Sequence, residues 1–142
     1  MLDKQEEKLV IEVQKLAAEI IEKTNYSGRH TVAAGVITES GKKYFGINFD
    51  SIHGTCAEIV AYVNAVMNGE LIIKTVVAVS SREKGIKGII SPCGNCRQIL
   101  VENNPNVQVI LNIDGQLVKK SIHELIPFAY DNSYKRENDR RH

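Results

Sequence analysis

HGTCAEIV, residues 53–60, puts a cysteine and a glutamate two positions apart where a polar loop gives way to an apolar-periodic run. Taken alone, Thr55-Cys56-Ala57-Glu58 is a legal capping box, T-x-x-E, in which Glu58 merely bonds back to the Thr55 N–H. That reading accounts for Thr55 and Glu58 but leaves Cys56 idle. The chain has three cysteines, and the other two form a second dense unit, SPCGNCRQ, at 91–98. An odd count makes a poor disulfide framework. Every cysteine therefore falls inside a candidate motif, and none is left as core filler, the commonest fate of a free cysteine.

Cys93-Gly94-Asn95-Cys96 has the spacing that lets two thiolates reach one ion. Pro92 suits a first helical position and Ser91 an N-cap, which predicts that these cysteines sit at a helix N-terminus. Free N–H groups and the helix dipole favour thiolates there. Two zinc readings share these residues. With Cys56, Cys93 and Cys96 as ligands, a fourth position stays open for water and Glu58 stands beside it, the layout of a catalytic site. With His53 as fourth ligand the site is closed and structural, and Glu58 is only a cap. A redox dithiol would leave Cys56 unused.

Outward from these two motifs, residues 3–24 read as an amphipathic helix, with Leu9, Val13, Leu16, Ile20 and Ile21 at helical spacing. TVAAGVIT (31–38) and KKYFGINF (42–49) are strand-like and joined by ESG, a hairpin signal. An Ala- and Val-rich helix spans 56–68. IIKTVVAVS (72–80) is a continuous β-branched run, the pattern of a strand covered on both faces. A charged loop, SREKGIKG, leads to a helix from Pro92 to Asn103, then a buried strand NVQVILN, a turn at DG and a short fifth strand QLVKK. SIHELIPFAY reads as a last helical turn and an apolar anchor. This order predicts an α/β fold, a mixed five-stranded sheet with helices on both faces. It is read as a single domain over 1–130, followed by a charged tail, 131–142, that is expected to be mobile.

Bulk composition narrows the partners. The 142 residues are 43% apolar and 25% charged, with a net charge of +1. That balance argues against a surface that coats nucleic acid, as does the absence of Trp and an aromatic share of 6%. No apolar run approaches the roughly 18 residues that cross a bilayer. The opening MLDKQEEKLVIEVQKLAAEIIEK is too charged for a signal peptide, so a cytoplasmic location is expected. The expected partner is a small molecule, with no nucleic acid and no membrane.

Cys56-Ala57-Glu58 together with Pro92-Cys93-Gly94-Asn95-Cys96-Arg97-Gln98 resembles the zinc-dependent cytidine deaminase family, whose signature sets thiolate ligands beside a glutamate that does not bind the metal. YSGRHTVAAGVI, GKKYFGINFD and HELIPFAY are similar to flanking segments of that family. The resemblance implies a three-layer α/β/α cytidine-deaminase-like fold and one Zn²⁺ per chain on Cys56, Cys93 and Cys96. It also implies Glu58 as the proton shuttle and Asn48 with Asp50 as ligands of the ribose hydroxyls. Three thiolates leave zinc with excess negative charge, and Arg97 is expected to balance it by hydrogen-bonding a ligating sulfur. The implied activity is hydrolytic deamination of the cytosine nucleosides cytidine and deoxycytidine, as in pyrimidine salvage. The implied assembly is a homotetramer (or homodimer) with pockets completed across subunits.

The chain also departs from that pattern. Asp50 is one methylene shorter than the family's glutamate, the loop from Asn48 to Cys56 is short, and His30 stands near the usual place of a phenylalanine that faces the base. The blasticidin S deaminase group, acting on a cytosine nucleoside antibiotic, is a close relative in which GIISPCGNCRQIL would be at home. The acid at position 50 favours cytidine. Phe128 and Tyr130 either line a base pocket or anchor the C-terminal segment.

Overall fold

The computed structural model describes residues 1–131, and the tail expected to be mobile lies outside them beyond Asp131. Helix α1 (Lys4–Lys23) opens on a reciprocal cap. Asp3 Oδ1 accepts from the Glu6 N–H at 2.8 Å, and Glu6 Oε1 accepts from the Asp3 N–H at 3.0 Å, which satisfies two donors that a helix start leaves free. Strands β1 (Val32–Thr38) and β2 (Lys43–Ile47) form the expected antiparallel hairpin. Helix α2 (Ala57–Met67) and strand β3 (Ile73–Ser80) follow. A turn of 3-10 helix (Gly85–Gly88) then leads to β4 (Ile89–Ile90) and helix α3 (Gly94–Asn103). Strands β5 (Gln108–Ile113) and β6 (Gln116–Ser121) and the single turn α4 (Ile122–Leu125) complete the described chain.

The sheet runs in the order β2-β1-β3-β5-β6, and β3 with β5 is the parallel contact that makes it mixed. The five expected strands form this path. The count needs one correction, because β4 adds a sixth strand of two residues, antiparallel to β3 with Ala78 opposite Ile90 and Val79 opposite Ile89. Strand β5 pairs with β3 only at Thr75 and Val76, so β4 takes the edge that β5 leaves. Two residues are too few to show a period, which hid this strand in the sequence.

Burial alternates along the central strands. Ala33, Ile37, Val77, Val79 and Ile110 pack with Leu9, Val13, Ala17 and Ile20 of α1. Ala34, Val36, Val76, Ala78 and Val109 pack with Ala57, Ala61 and Ala65 of α2 and Leu100 of α3. The sheet is thus the middle of three layers, and the continuous β-branched run of β3 is buried on both faces, as its pattern predicts.

Two glycines allow the helices this proximity. A Cβ on Gly35 would meet Val13 Cγ2 at 2.6 Å and Leu9 Cδ1 at 2.8 Å, and one on Gly46 would meet the Ala57 carbonyl oxygen at 2.8 Å. A strand glycine at a close approach of backbone is the usual physical reason for such a residue. The Gly46 contact matters most, because α2 begins immediately after Cys56.

Candidate active site

Both cysteine motifs end up at the N-termini of helices on one side of the sheet, though not in the register the sequence suggests. The capping box over Thr55–Glu58 does not form. Thr55 is held extended by a bridge to Phe49, with Phe49 N–H donating to the Thr55 carbonyl and Thr55 N–H to the Phe49 carbonyl, each at 3.0 Å. The N-cap is therefore Cys56, whose side chain caps nothing. Likewise Cys93, not Ser91, is the N-cap of α3, again with no side-chain cap, and Pro92 lies just outside the helix. Each N-cap backbone is extended, with φ −76° and ψ 151° at Cys56 and φ −68° and ψ 172° at Cys93.

The three sulfurs converge. Cys56 Sγ and Cys93 Sγ are 3.3 Å apart, and with Cys96 all lie within 4.8 Å of one another. Ligands about 2.3 Å from one tetrahedral ion would be separated by roughly 3.8 Å, so the cluster has the dimensions to hold a zinc ion. Among the described residues no histidine or carboxylate joins this group. His53, the fourth ligand of the closed-site alternative, and Glu58 both stay out of it.

The chemistry of the donor set agrees. Burial pushes the Cys56 thiol up to about 11, helped by its bond to Cys93. Burial, then the nearby Glu58 carboxylate, pushes Cys96 far above the ordinary thiol range. Burial also raises Cys93, but the backbone N–H of Cys96, the Cys56 thiol and the Asn95 N–H outweigh it and leave Cys93 below its usual value. Two crowded thiols that resist ionisation become thiolates when a dication sits among them.

Glu58, in the first turn of α2, is only 5% exposed. Burial raises its carboxyl above the ordinary glutamate range, opposed by its own backbone N–H. It lines a cleft of about 360 Å³ together with Asn48, Asp50, Ile90, Ser91 and Cys93. A buried carboxyl with a raised pKa, lining a cleft, suits proton transfer.

The wall carrying Asn48 and Asp50 is stitched to the start of β1 and the residues just before it. Asn48 Oδ1 accepts from Thr31 N–H at 2.7 Å and Val32 N–H at 3.0 Å, which fills both its lone pairs and leaves the Nδ2 hydrogens for a ligand. His30 Nδ1 is 2.8 Å from the Asn48 carbonyl. That oxygen can only accept, so Nδ1 carries the proton. The His30 ring stands edge-on to Phe49, centroids 4.9 Å apart at 85°. Asp50 N–H donates to the Arg29 carbonyl at 2.8 Å and Arg29 Nη1 to the Asp50 carbonyl at 2.9 Å. The Asp50 side chain is exposed at the cleft.

Arg97 lies one residue after Cys96, yet its guanidinium bonds the Pro92 and Leu125 carbonyls and Ser91 Oγ. Among the described residues its hydrogen bonds include none to a sulfur, contrary to expectation. Phe128 and Tyr130 do not line this cleft. They border a separate groove beside Val101 and His123. Sequence reasoning also passed over Gly46, Thr31 and Ile90. Only Gly46 carried a signal, as a glycine inside a strand pattern.

Comparison with known proteins agrees with this geometry. Residues 4–111 match the family described as the cytidine and deoxycytidylate deaminase zinc-binding region. A blasticidin-S deaminase of Bacillus cereus is 32% identical over 128 residues, covering 84% of this chain and 91% of that protein. A cytidine deaminase of Sporosarcina psychrophila is 31% identical over 129 residues, covering 87% and 90%. In three dimensions the chain is similar to a mutant cytidine deaminase from Mycobacterium tuberculosis, with a TM-score of 0.70 over 92% of this chain and 100% of that one. At 20% identity this is a likeness of fold.

Proposed function

The chain belongs to the cytidine and deoxycytidylate deaminase zinc-binding family, and from that premise we propose that it hydrolyses cytidine and deoxycytidine to the uridine products and ammonia. One observation carries the proposal. The buried carboxyl of Glu58 stands at the foot of a cleft beside three convergent sulfurs, with His53 outside their group. In this reading Cys56, Cys93 and Cys96 are the zinc ligands and Glu58 is the catalytic acid/base.

Bound there, zinc would supply the Lewis acidity that brings the pKa of a water down towards about 7. Glu58 accepts the proton given up by the attacking water and delivers it to N3 of the cytosine ring. C4 becomes tetrahedral as its new C–O bond forms. Glu58 then passes the proton of the new hydroxyl to the exocyclic nitrogen, the C–N bond breaks as C4 and its oxygen become a carbonyl, and ammonia leaves. Burial of Glu58 supports the first half of this cycle, since a raised pKa makes its carboxylate a stronger base towards the attacking water.

Sugar recognition falls to Asn48 and Asp50. Only the amide N–H groups of Asn48 remain unspent, so it donates to a hydroxyl oxygen, and the Asp50 carboxylate accepts the hydroxyl proton. A group that both accepts and donates, as a ribose hydroxyl does, answers both. A blasticidin S-like antibiotic is the second reading, favoured by the identity to the Bacillus cereus protein named for that substrate.

Pyrimidine salvage and a cytoplasmic location follow from the proposed reaction and from a site that needs three reduced thiols. Among the described residues no helix is long and apolar enough to cross a membrane. A homotetramer is supported by the apolar outer face of α2, where Val63 is 50% and Met67 79% exposed. Purified zinc-loaded protein tested by ultraviolet spectroscopy on cytidine, deoxycytidine, blasticidin S, free cytosine and single-stranded oligonucleotides decides among these readings. Turnover of the antibiotic without cytidine would replace the substrate. No turnover of any, with zinc bound, would leave a structural zinc module.

A further inference from the structure

The charge-balancing role expected of Arg97 requires its guanidinium to face sulfur, and the described bonds run elsewhere. Nε donates to the Pro92 carbonyl at 2.8 Å, Nη2 to Ser91 Oγ at 2.7 Å and Nη1 to the Leu125 carbonyl at 2.6 Å. Ser91 and Pro92 are the two residues that lead into Cys93. Leu125 closes α4, 28 residues downstream of Arg97. Gln98 extends the same contact, with Nε2 donating to the Tyr130 carbonyl at 3.0 Å.

We infer that Arg97 is a positioning residue, a three-pronged clamp that fixes the Ser91-Pro92 approach to Cys93 against the C-terminal segment, so that retention of the metal depends on how that segment docks. The inference rests on the reading of the three cysteines as zinc ligands.

The local structure gives the clamp something to do. Cys93 is exposed and its side chain caps nothing in α3, whereas Cys96 is fully buried within the helix. Cys96 is held by the core. Cys93 takes its direction from the two residues before it. A planar guanidinium can hold acceptors in separate segments at fixed angles, and the last carbonyls of a short helix have no partner inside it. A lysine carries the same charge on a single nitrogen and cannot span Pro92, Ser91 and Leu125 together. Clamp and counter-charge therefore predict opposite behaviour for Arg97→Lys.

The test follows zinc leaving the full-length, zinc-loaded protein for a chromogenic chelator. It also records the thiolate-to-metal absorption band of the protein loaded with Co²⁺. Arg97→Lys and Arg97→Gln are expected to release zinc about 10–100-fold faster than the parent, the usual range for losing support of a metal ligand. Lysine should do no better than glutamine, and both should shift the cobalt band. Ser91→Ala removes one link, and Gln98→Leu removes the bond to Tyr130 together with one of 2.6 Å from Gln98 Nε2 to Glu102 Oε1; both should speed release by a smaller factor, and they carry the test if the arginine variants do not fold. Release of zinc by Arg97→Lys at the parental rate would overturn the clamp in favour of charge. Parental rates and spectra in Ser91→Ala would remove the tie to the approach to Cys93, and in Gln98→Leu the tie to the C-terminal segment. Zinc stoichiometry of the parent is measured first, and no readout depends on deaminase turnover, so failure of the proposed reaction is told apart from failure of the clamp.

Discussion

Gly46→Ala is a small change on paper and a large one in this fold. Gly46 lies in β2 directly beneath the first turns of α2. An added Cβ would stand 2.8 Å from both the Ala57 carbonyl oxygen and the Val60 carbonyl carbon, and closer still to the Ala61 amide nitrogen. Ordinary contact begins near 3.4 Å, so α2 must retreat by more than about 0.6 Å. The obstructing atoms are all backbone, and no rotamer change relieves them. Forcing a methyl into such a space costs typically about 1–3 kcal/mol, or roughly 3–10 °C in Tm for a chain of this size. Function should suffer more than stability. Cys56 and Glu58 ride on the end of α2 that moves, Cys93 and Cys96 do not, and a site misplaced by more than about 0.5 Å is already loose. The expected outcome is a folded protein with weakened zinc retention and kcat lower by on the order of 10²-fold, the usual penalty for misplacement on the ångström scale. Thermal unfolding, zinc content after dialysis and steady-state deamination measure the three consequences. An alanine variant that keeps parental zinc content and kcat would refute the claim that this close approach sets the site.

Further outcomes follow from the same geometry. Glu58→Gln should lower kcat by about 10⁴-fold, the upper end for general acid–base catalysis, because among the described residues the cleft offers one other carboxylate, the exposed Asp50. Zinc content should stay at the parental level, and a glutamine variant keeping a tenth of the activity would rule Glu58 out. Asp50→Ala should raise KM for cytidine and leave kinetics on free cytosine unchanged, and an equal effect on both would deny it a sugar contact. Cys96→Ser replaces a fully buried thiol with a poorer zinc donor, so zinc stoichiometry by atomic absorption should fall well below one per chain. Lys119→Met should lower the stability read from a urea midpoint by about 1–3 kcal/mol, because the Lys119 ammonium sits 2.9 Å from Glu6 Oε1 and its loss leaves that buried carboxylate with only neutral donors. An unchanged midpoint would show that Glu6 is satisfied by Asp3 and Thr75 alone.

Features legible in the sequence were those written in local chemistry. Helical spacing marked α1 to within a residue at each end, and the β-branched run of β3 announced burial on both faces. The turn at Asn112–Gly115 behaves as its residues suggest, with Asp114 and Gly115 at positive φ and the Gly115 N–H donating to Asn112 Oδ1 at 2.9 Å. Details set by a distant partner were not legible. Thr55 reads as an N-cap only until Phe49 pairs with it across the loop and holds it extended. Ser91 reads as an N-cap, but its hydroxyl accepts from Arg97 instead. Arg97 reads as a counter-charge because the sequence shows its neighbour Cys96 and not Leu125, which reaches it only through the fold. Strand β4 exists because β5 leaves an edge free, a fact about the sheet and not about two isoleucines.

The ligand geometry and the raised Glu58 carboxyl share a cause. Helix α2 presents Ala57, Ala61 and Ala65 to the sheet, all fully buried, and meets a glycine on β2. Small residues on both sides let the helix lie close enough to bring the Cys56 sulfur to 3.3 Å from Cys93. The same descent takes Glu58, two residues along, out of the solvent, and burial is the leading cause of its raised pKa. A helix held farther from the sheet by larger residues would splay the sulfurs and wet the carboxylate together. Repacking this interface should therefore move zinc affinity and the pH profile of turnover in concert.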